Sequence, residues 1–129
     1  MIVADTHVAV WIVTDATLLS AKARAAIDLA RREELIGIST VTLLEIANSI
    51  QRGRIQVAGS PLSFLKHLER QFAVIPINSA IAWQATQFDE RYPKDPMDRI
   101  IASTALVNRA LLVTADQNIR RSGAVETVW

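Results

Sequence analysis

At 129 residues, half of them hydrophobic and 21% charged, the chain has the length and composition of one globular domain with a substantial core (1–129). Fourteen basic residues against thirteen acidic ones leave a net charge of +1, a balance that neither demands nor excludes nucleic acid. The chain has no cysteine, which excludes disulfides, thiolate zinc sites and cysteine nucleophiles. No apolar run reaches the ~20 residues of a membrane span, so a soluble cytoplasmic protein is expected.

Ile2-Val3-Ala4 is too short for a helix and lacks polar alternation, which is how a strand covered on both faces of a parallel sheet reads. Asp5 interrupts it, and Val8 to Val13 has helical character. Ser20 is placed to cap a helix running to about Glu34. Leu35 to Ser39 reads as a second strand. A helix from about Thr40 to Arg52 is closed by Gly53, suited to a left-handed cap. Ser60-Pro61 opens a helix to about Gln71. Phe72 to Ile77 reads as a third strand with Pro76 at its end.

Asn78 or Ser79 is expected to cap a helix to about Arg91, ended by Pro93. Asp95-Pro96 begins the next, to about Arg109. Leu111 to Thr114 is a fourth strand, Asp116 to Arg121 a helical turn, and Val125 to Val128 a fifth strand. Strands alternating with helices imply crossover units and a parallel sheet between helical layers.

Four acids stand at comparable points of this pattern. Asp5 and Asp116 fall at or just past strand ends, where a ligand-binding crevice forms in open α/β sheets, although either residue can simply cap the helix after it. Glu45 sits among Leu43, Leu44, Ile46 and Ala47, and a carboxylate beside so much apolar surface must pair with an arginine or hold a metal. Asp98 stands third in a helix that Asp95 is placed to cap, so it can either reach back to the Asp95 amide or face a site. In a parallel sheet all four positions face one rim.

Carboxylates gathered within ~5 Å repel unless a cation compensates. An all-oxygen donor set favours a hard ion, Mg²⁺ or Mn²⁺, whose bound water becomes a nucleophile suited to phosphodiester cleavage. Thr6, Ser39 and Thr114 are available to position water or phosphate, and Arg99 to contact a phosphate or pair with Asp98. His7 follows a strand end and reads first as structural. No glycine-rich phosphate loop and no Gly-x-Ser-x-Gly turn is present.

The blocks Asp5-Thr6-His7-Val8-Ala9-Val10-Trp11, Leu44-Glu45-Ile46-Ala47 with Gly53, Asp95-Pro96-Met97-Asp98-Arg99-Ile100-Ile101-Ala102 and Val113-Thr114-Ala115-Asp116 resemble, in order and spacing, the PIN domains. Among these the likeness is to the VapC-type toxins of toxin–antitoxin pairs. The resemblance implies a three-layer α/β/α sandwich around a mainly parallel sheet and a metal-dependent endoribonuclease acting on RNA. It assigns Asp5, Glu45, Asp98 and Asp116 as the acidic quartet, with Asp5 and Asp98 the chief ligands of Mg²⁺ or Mn²⁺ and Thr114 the hydroxyl near them. It also implies a homodimer and a cognate antitoxin whose tail enters the acidic groove. Phe64, Leu65 and Trp83 are the apolar residues available for a subunit contact. The chain departs from similar sequences in having Ser49 where a lysine is common, and in lacking an aromatic residue near Ser122.

Two other readings fit parts of the sequence. A phosphatase or receiver-like domain would use Asp5 as a phosphoacceptor, but the second Asp of the common phosphatase signature is replaced by His7, and no lysine follows Lys94. A non-catalytic interaction module would keep the fold without needing the quartet.

Overall fold

The computed structural model describes residues 1–33 and 35–129. Its centre is a five-stranded sheet in which every pairing is parallel, in the order β3-β2-β1-β4-β5. The strands are β1 (Ile2–Ala4), β2 (Ile36–Ser39), β3 (Ala73–Ile75), β4 (Leu111–Val113) and β5 (Thr127–Val128). Among the described residues there are seven α-helices: α1 (Thr6–Thr14), α2 (Ala21–Arg32), α3 (Thr40–Gln51), α4 (Pro61–Gln71), α5 (Ser79–Ala85), α6 (Pro96–Val107) and α7 (Gln117–Ser122). None is long and apolar enough to cross a membrane.

Alternation along the strands divides the core into two layers, because successive side chains of a strand point to opposite faces. Ile2, Ala4, Ile36, Ile38 and Val113 pack with α1, α2 and buried residues of α3 and α4, including Ile27, Ile46 and Leu68. Val3 and Leu112 point the other way, onto Ile101, Ala102 and Ala105 of α6 and Ile119 of α7. The result is the expected α/β/α sandwich. The chain builds outward from β1 through β2 to β3, then returns to place β4 and β5 on the other side of β1. The direction of winding therefore reverses at β1, and in such sheets the crevice lies beyond the carboxyl end at that reversal.

Most helix starts are fixed by the caps expected of them. Ser20, Ser60, Asn78, Asp95 and Asp116 each accept a backbone N–H of the first turn of the following helix. Gly53 takes a φ of 73° just past α3. Several ends differ from expectation. The expected reach of α2 to Glu34 falls outside the described residues. β2 begins at Ile36, β3 omits Phe72, Pro76 and Ile77, and β5 omits Val125, which instead buries its side chain in the core. α6 stops at Val107, and Arg109 turns left-handed with φ 52°.

The largest difference is in α5, which ends at Ala85 instead of reaching Arg91. Two local bonds compete with the helix. The Thr86 hydroxyl donates to the Trp83 carbonyl at 2.7 Å, and the Asp89 carboxylate takes the Arg91 N–H at 2.9 Å. Phe88 then turns inward to meet Tyr92, with ring centroids 4.4 Å apart.

Gly37 in β2 shows how closely the second layer is packed. A Cβ built there would lie 2.6 Å from Ile75 Cδ1 on the neighbouring strand. Gly37→Val is expected to cost roughly 1–3 kcal/mol, the range for overpacking a core. Adding Ile75→Val, which removes the obstructing methyl, should recover part of that loss; urea unfolding of the single and double variants measures both.

Candidate active site

Asp5 follows the last residue of the central strand and caps α1. It is 4% exposed, yet both of its oxygens have partners. Oδ1 accepts the Thr6 N–H at 2.8 Å, and Oδ2 accepts the Thr114 hydroxyl at 2.7 Å across from the end of β4. Thr114 Oγ1 in turn accepts the Asp116 N–H at 3.1 Å. A single hydroxyl thus ties the carboxylate at one strand end to the turn that carries the next acid.

Asp116 caps α7, its Oδ1 accepting the Asn118 and Ile119 N–H groups at 2.8 and 3.1 Å. Glu45 lies in the second turn of α3, where its Oε1 accepts the Thr6 hydroxyl at 2.8 Å. No arginine pairs with Glu45 among the described residues. The local alternative for Asp98 is likewise not realised: Asp95 caps α6 through the Met97 N–H, and the Asp98 carboxylate makes no hydrogen bond among the described residues. It is left free to face the rim.

The four acids do meet. Asp5, Glu45, Asp98 and Asp116 line one cleft of about 290 Å³ together with Thr6, His7, Val10, Trp11, Ser49 and Ile55. Larger clefts of about 480 and 490 Å³ lie along the α5–α6 connection, but they lack this cluster of acids. Burial pushes the Asp98 carboxyl up to about 7, aided by the charges of Asp5, Asp95, Glu45 and Asp116. Burial also raises Glu45, opposed by its bond from Thr6 and reinforced by Asp5 and Asp95. Asp95, a capping residue by geometry, therefore contributes to the negative field of the cleft.

Three assignments of supporting residues change. Arg99 does not line the cleft. Its Nε donates to the Pro93 carbonyl at 2.9 Å, its terminal nitrogens reach the carbonyls of Phe88, Asp89 and Tyr92 at 3.4 Å, and it lies over the Phe88 ring. The guanidinium braces the α5–α6 connection and is not offered to a phosphate. Ser39 is fully buried and spends its hydroxyl on the Val41 N–H as the cap of α3. Thr6 lines the cleft, but its hydroxyl is committed to Glu45, with Thr42 Oγ1 3.2 Å away.

His7 has more to do than the sequence indicates. Its Nε2 accepts the Ala115 N–H at 3.1 Å, which fixes Nε2 as the unprotonated nitrogen and points Nδ1 toward Asp5 Oδ2, 3.7 Å away. The ring therefore bridges the two turns that carry Asp5 and Asp116. Trp129 was missed altogether. It lies against Trp11 with centroids 5.7 Å apart and packs against the core on the α1 side of the sheet. Of the apolar residues noted for a subunit contact, Phe64 and Leu65 pack against the core, while Trp83 is 70% exposed.

The donor set fits a hard divalent ion. It is all oxygen, burial and the neighbouring carboxylates raise Asp98 and Glu45, and Asp98 offers unengaged oxygens beside the anchored Asp5. Among the described residues no three acids or histidines are grouped closely enough to form a complete cage. A cage is not required, because Mg²⁺ is usually held by one or two carboxylates and keeps several waters.

Fold and cleft together define a parallel α/β domain with a carboxylate centre at the winding reversal of its sheet. A family model of the PIN domain matches residues 2–124, and the chain belongs to that family. It is 32% identical over 127 residues to ribonuclease VapC22 of Mycobacterium tuberculosis (strain ATCC 25618 / H37Rv), covering 97% of this chain and 95% of that protein. Similar solved structures include VapBC2 from Rickettsia felis bound to a promoter DNA fragment, with TM-score 0.73 and 17% identity. DNA-bound VapBC from Salmonella typhimurium gives the same TM-score at 18% identity. Each of these two comparisons covers 98% of this chain and 97% of the other. They establish the likeness of fold, in agreement with the VapC-type PIN resemblance read from the sequence.

The raised Asp98 carboxyl has a sign that stability can test. With its folded pKa above the unfolded value near ~4, this group favours folding at low pH and loses that contribution as pH rises toward about 7. In divalent-free buffer Asp98→Asn, neutral and similar in volume, should therefore gain stability relative to the parent between pH 4 and 7, with a constant margin above. Denaturant unfolding across pH measures this; a margin independent of pH would contradict it.

Proposed function

We propose that the protein is a divalent-metal-dependent endoribonuclease and the toxin of a toxin–antitoxin pair. The observation that carries this reading is the meeting of Asp5, Glu45, Asp98 and Asp116 in one cleft at the carboxyl ends of the parallel strands. The family membership and the likeness to a protein named as a VapC ribonuclease support it.

In this reading Asp5 and Asp98 hold Mg²⁺ or Mn²⁺, with Glu45 and Asp116 completing the site directly or through water. Such an ion, when bound, would supply an activated water and offset charge on the phosphodiester. Asp98 carries the negative charge that the cleft opposes, and it ionises fully once that charge is compensated. Glu45 has Oε1 occupied by Thr6 and keeps Oε2 to accept a proton from the attacking water; its raised pKa suits it to that task. Thr114 fixes the Asp5 carboxylate and holds the Asp116 turn in place.

A cognate antitoxin with a basic segment complements the negative cleft electrostatically. Self-association would use the apolar surface of the exposed Trp83 and Ile77. The phosphoacceptor reading fares worse than it does on sequence alone, since among the described residues the cleft around Asp5 is lined by acids and by no lysine or arginine to receive a phosphoryl group.

Incubation of the purified protein with total cellular RNA and Mg²⁺ or Mn²⁺ should generate discrete new ends, mapped by sequencing, that disappear when the ion is chelated. Asp98→Asn should abolish them while the fold is kept. Full activity in that variant would remove Asp98 from the mechanism.

Thr114→Val keeps the side-chain shape but removes the hydroxyl that orients Asp5. Such outer contacts are typically worth about 10–100-fold in metal affinity or activity. Mn²⁺ titration of the folded variant should show a loss in that range, and an unchanged affinity would mean that Asp5 needs no orienting partner.

A further inference from the structure

The lining of the cleft is chemically mixed. Besides the acids it includes the apolar side chains of Val10, Trp11 and Ile55, and the His7 ring. Trp11 owes this position to helical spacing. Val8, Ala9 and Ile12 of α1 point into the core, whereas His7 and Trp11, four residues apart, share a different face that looks onto the cleft. The indole is only partly buried. It meets His7 at 5.0 Å and 65°, and Trp129 at 5.7 Å and 49°, so neither neighbour lies flat on it. Trp129 is itself packed against the core and supports Trp11 from behind. A partly exposed indole lining a negative cleft, with no ring stacked parallel on it among the described residues, has the form of a stacking platform.

We propose that Trp11, backed by Trp129, is a nucleobase subsite that stacks the base of a nucleotide adjoining the scissile phosphate. The inference rests on the reading of the acids as a phosphodiester-cleaving centre and adds to it where the strand is gripped. Three observations favour a nucleobase over other occupants. The platform is continuous with the acids, so a phosphate held there places its own nucleoside within reach. The cleft, at about 290 Å³, is just under the 300–1,000 Å³ typical of ligand pockets and suits a single nucleotide. The same cleft repels anions, so a strand held there needs a neutral contact, and a base face provides one. Aromatic stacking tolerates any base, which makes the subsite a grip on single-stranded RNA more than a reader of sequence.

The test is a cycle between protein and substrate. An oligoribonucleotide that the parent protein cleaves is compared with copies carrying an abasic residue on either side of the cut bond. Parent, Trp11→Ala and Trp11→Phe are assayed on each, with folding checked by circular dichroism. On the intact substrate Trp11→Ala should lose roughly 10–100-fold in kcat/KM, the size of one stacking contact. The parent should lose as much on one of the two abasic substrates. The two losses should not add when combined, and Trp11→Phe should restore most of the activity. Additive losses, or an abasic substrate cleaved as well as its parent at both positions, would overturn the subsite while leaving the nuclease intact. If Trp11→Ala cleaves normally, the platform belongs to another occupant such as a protein partner, and the inference falls. A parent protein that cuts no RNA would instead remove the reading beneath it. Should Trp11→Ala fail to fold, the abasic comparison on the parent and on Trp11→Phe decides the matter alone.

Discussion

A carboxyl group with almost no access to solvent stands at the end of the central strand, and the surrounding architecture is arranged to keep it there. Burying such a group without partners is costly, so Asp5 must be supplied with donors. One comes from the backbone of α1 and the other from a hydroxyl at the end of β4. The first is local to the helix cap; the second exists only because the strands are parallel and adjacent, the register pairing Ala4 with Val113 and so bringing the next residue of each strand side by side. Sheet topology and site chemistry are therefore a single arrangement.

The acids around Asp5 divide by how committed their oxygens are. Asp5 and Asp116 are tied into the framework, and Glu45 is half committed. Asp98 is held by its helix alone, half buried beside like charges, and among the described residues no donor offsets them. This gradient separates the parts of the cleft that maintain its shape from the part that responds to what enters. It also explains why Asp98 is the carboxyl displaced furthest toward neutrality.

Much of this was legible in the sequence because the relevant signals are local. Short apolar runs interrupted by Asp or Ser marked the strand ends, and Ser20, Ser60, Asn78, Asp95 and Asp116 announced their helices through the hydroxyl, amide and carboxylate oxygens that cap first turns. Convergence of the quartet followed from parallel topology alone. What the sequence could not display were choices made by tertiary partners. The early end of α5 depends on Asp89 capturing an amide and on Phe88 finding Tyr92. Arg99, adjacent to a catalytic candidate, turns back to four carbonyls of the connection that precedes its helix. His7 reaches Ala115, 108 residues away in sequence. Trp129 has no periodic context to mark it, and only the closure of β5 onto the sheet edge brings it to Trp11.

The connection from Thr86 to Asp95 has little regular structure, yet it is not a loose tether. One guanidinium from α6 gathers four of its carbonyls, and Tyr92, almost wholly inside, donates its hydroxyl to the main-chain oxygen of Asp98. Burial lifts that phenol far above its ordinary titration range, with the nearby acids adding to the effect, so it remains a donor throughout. Side-chain bonds from Arg99 and Tyr92 thus join the segment to the start of α6 in addition to the chain itself. Any change that reshapes this strap is therefore felt at the backbone of the least tethered acid in the cleft.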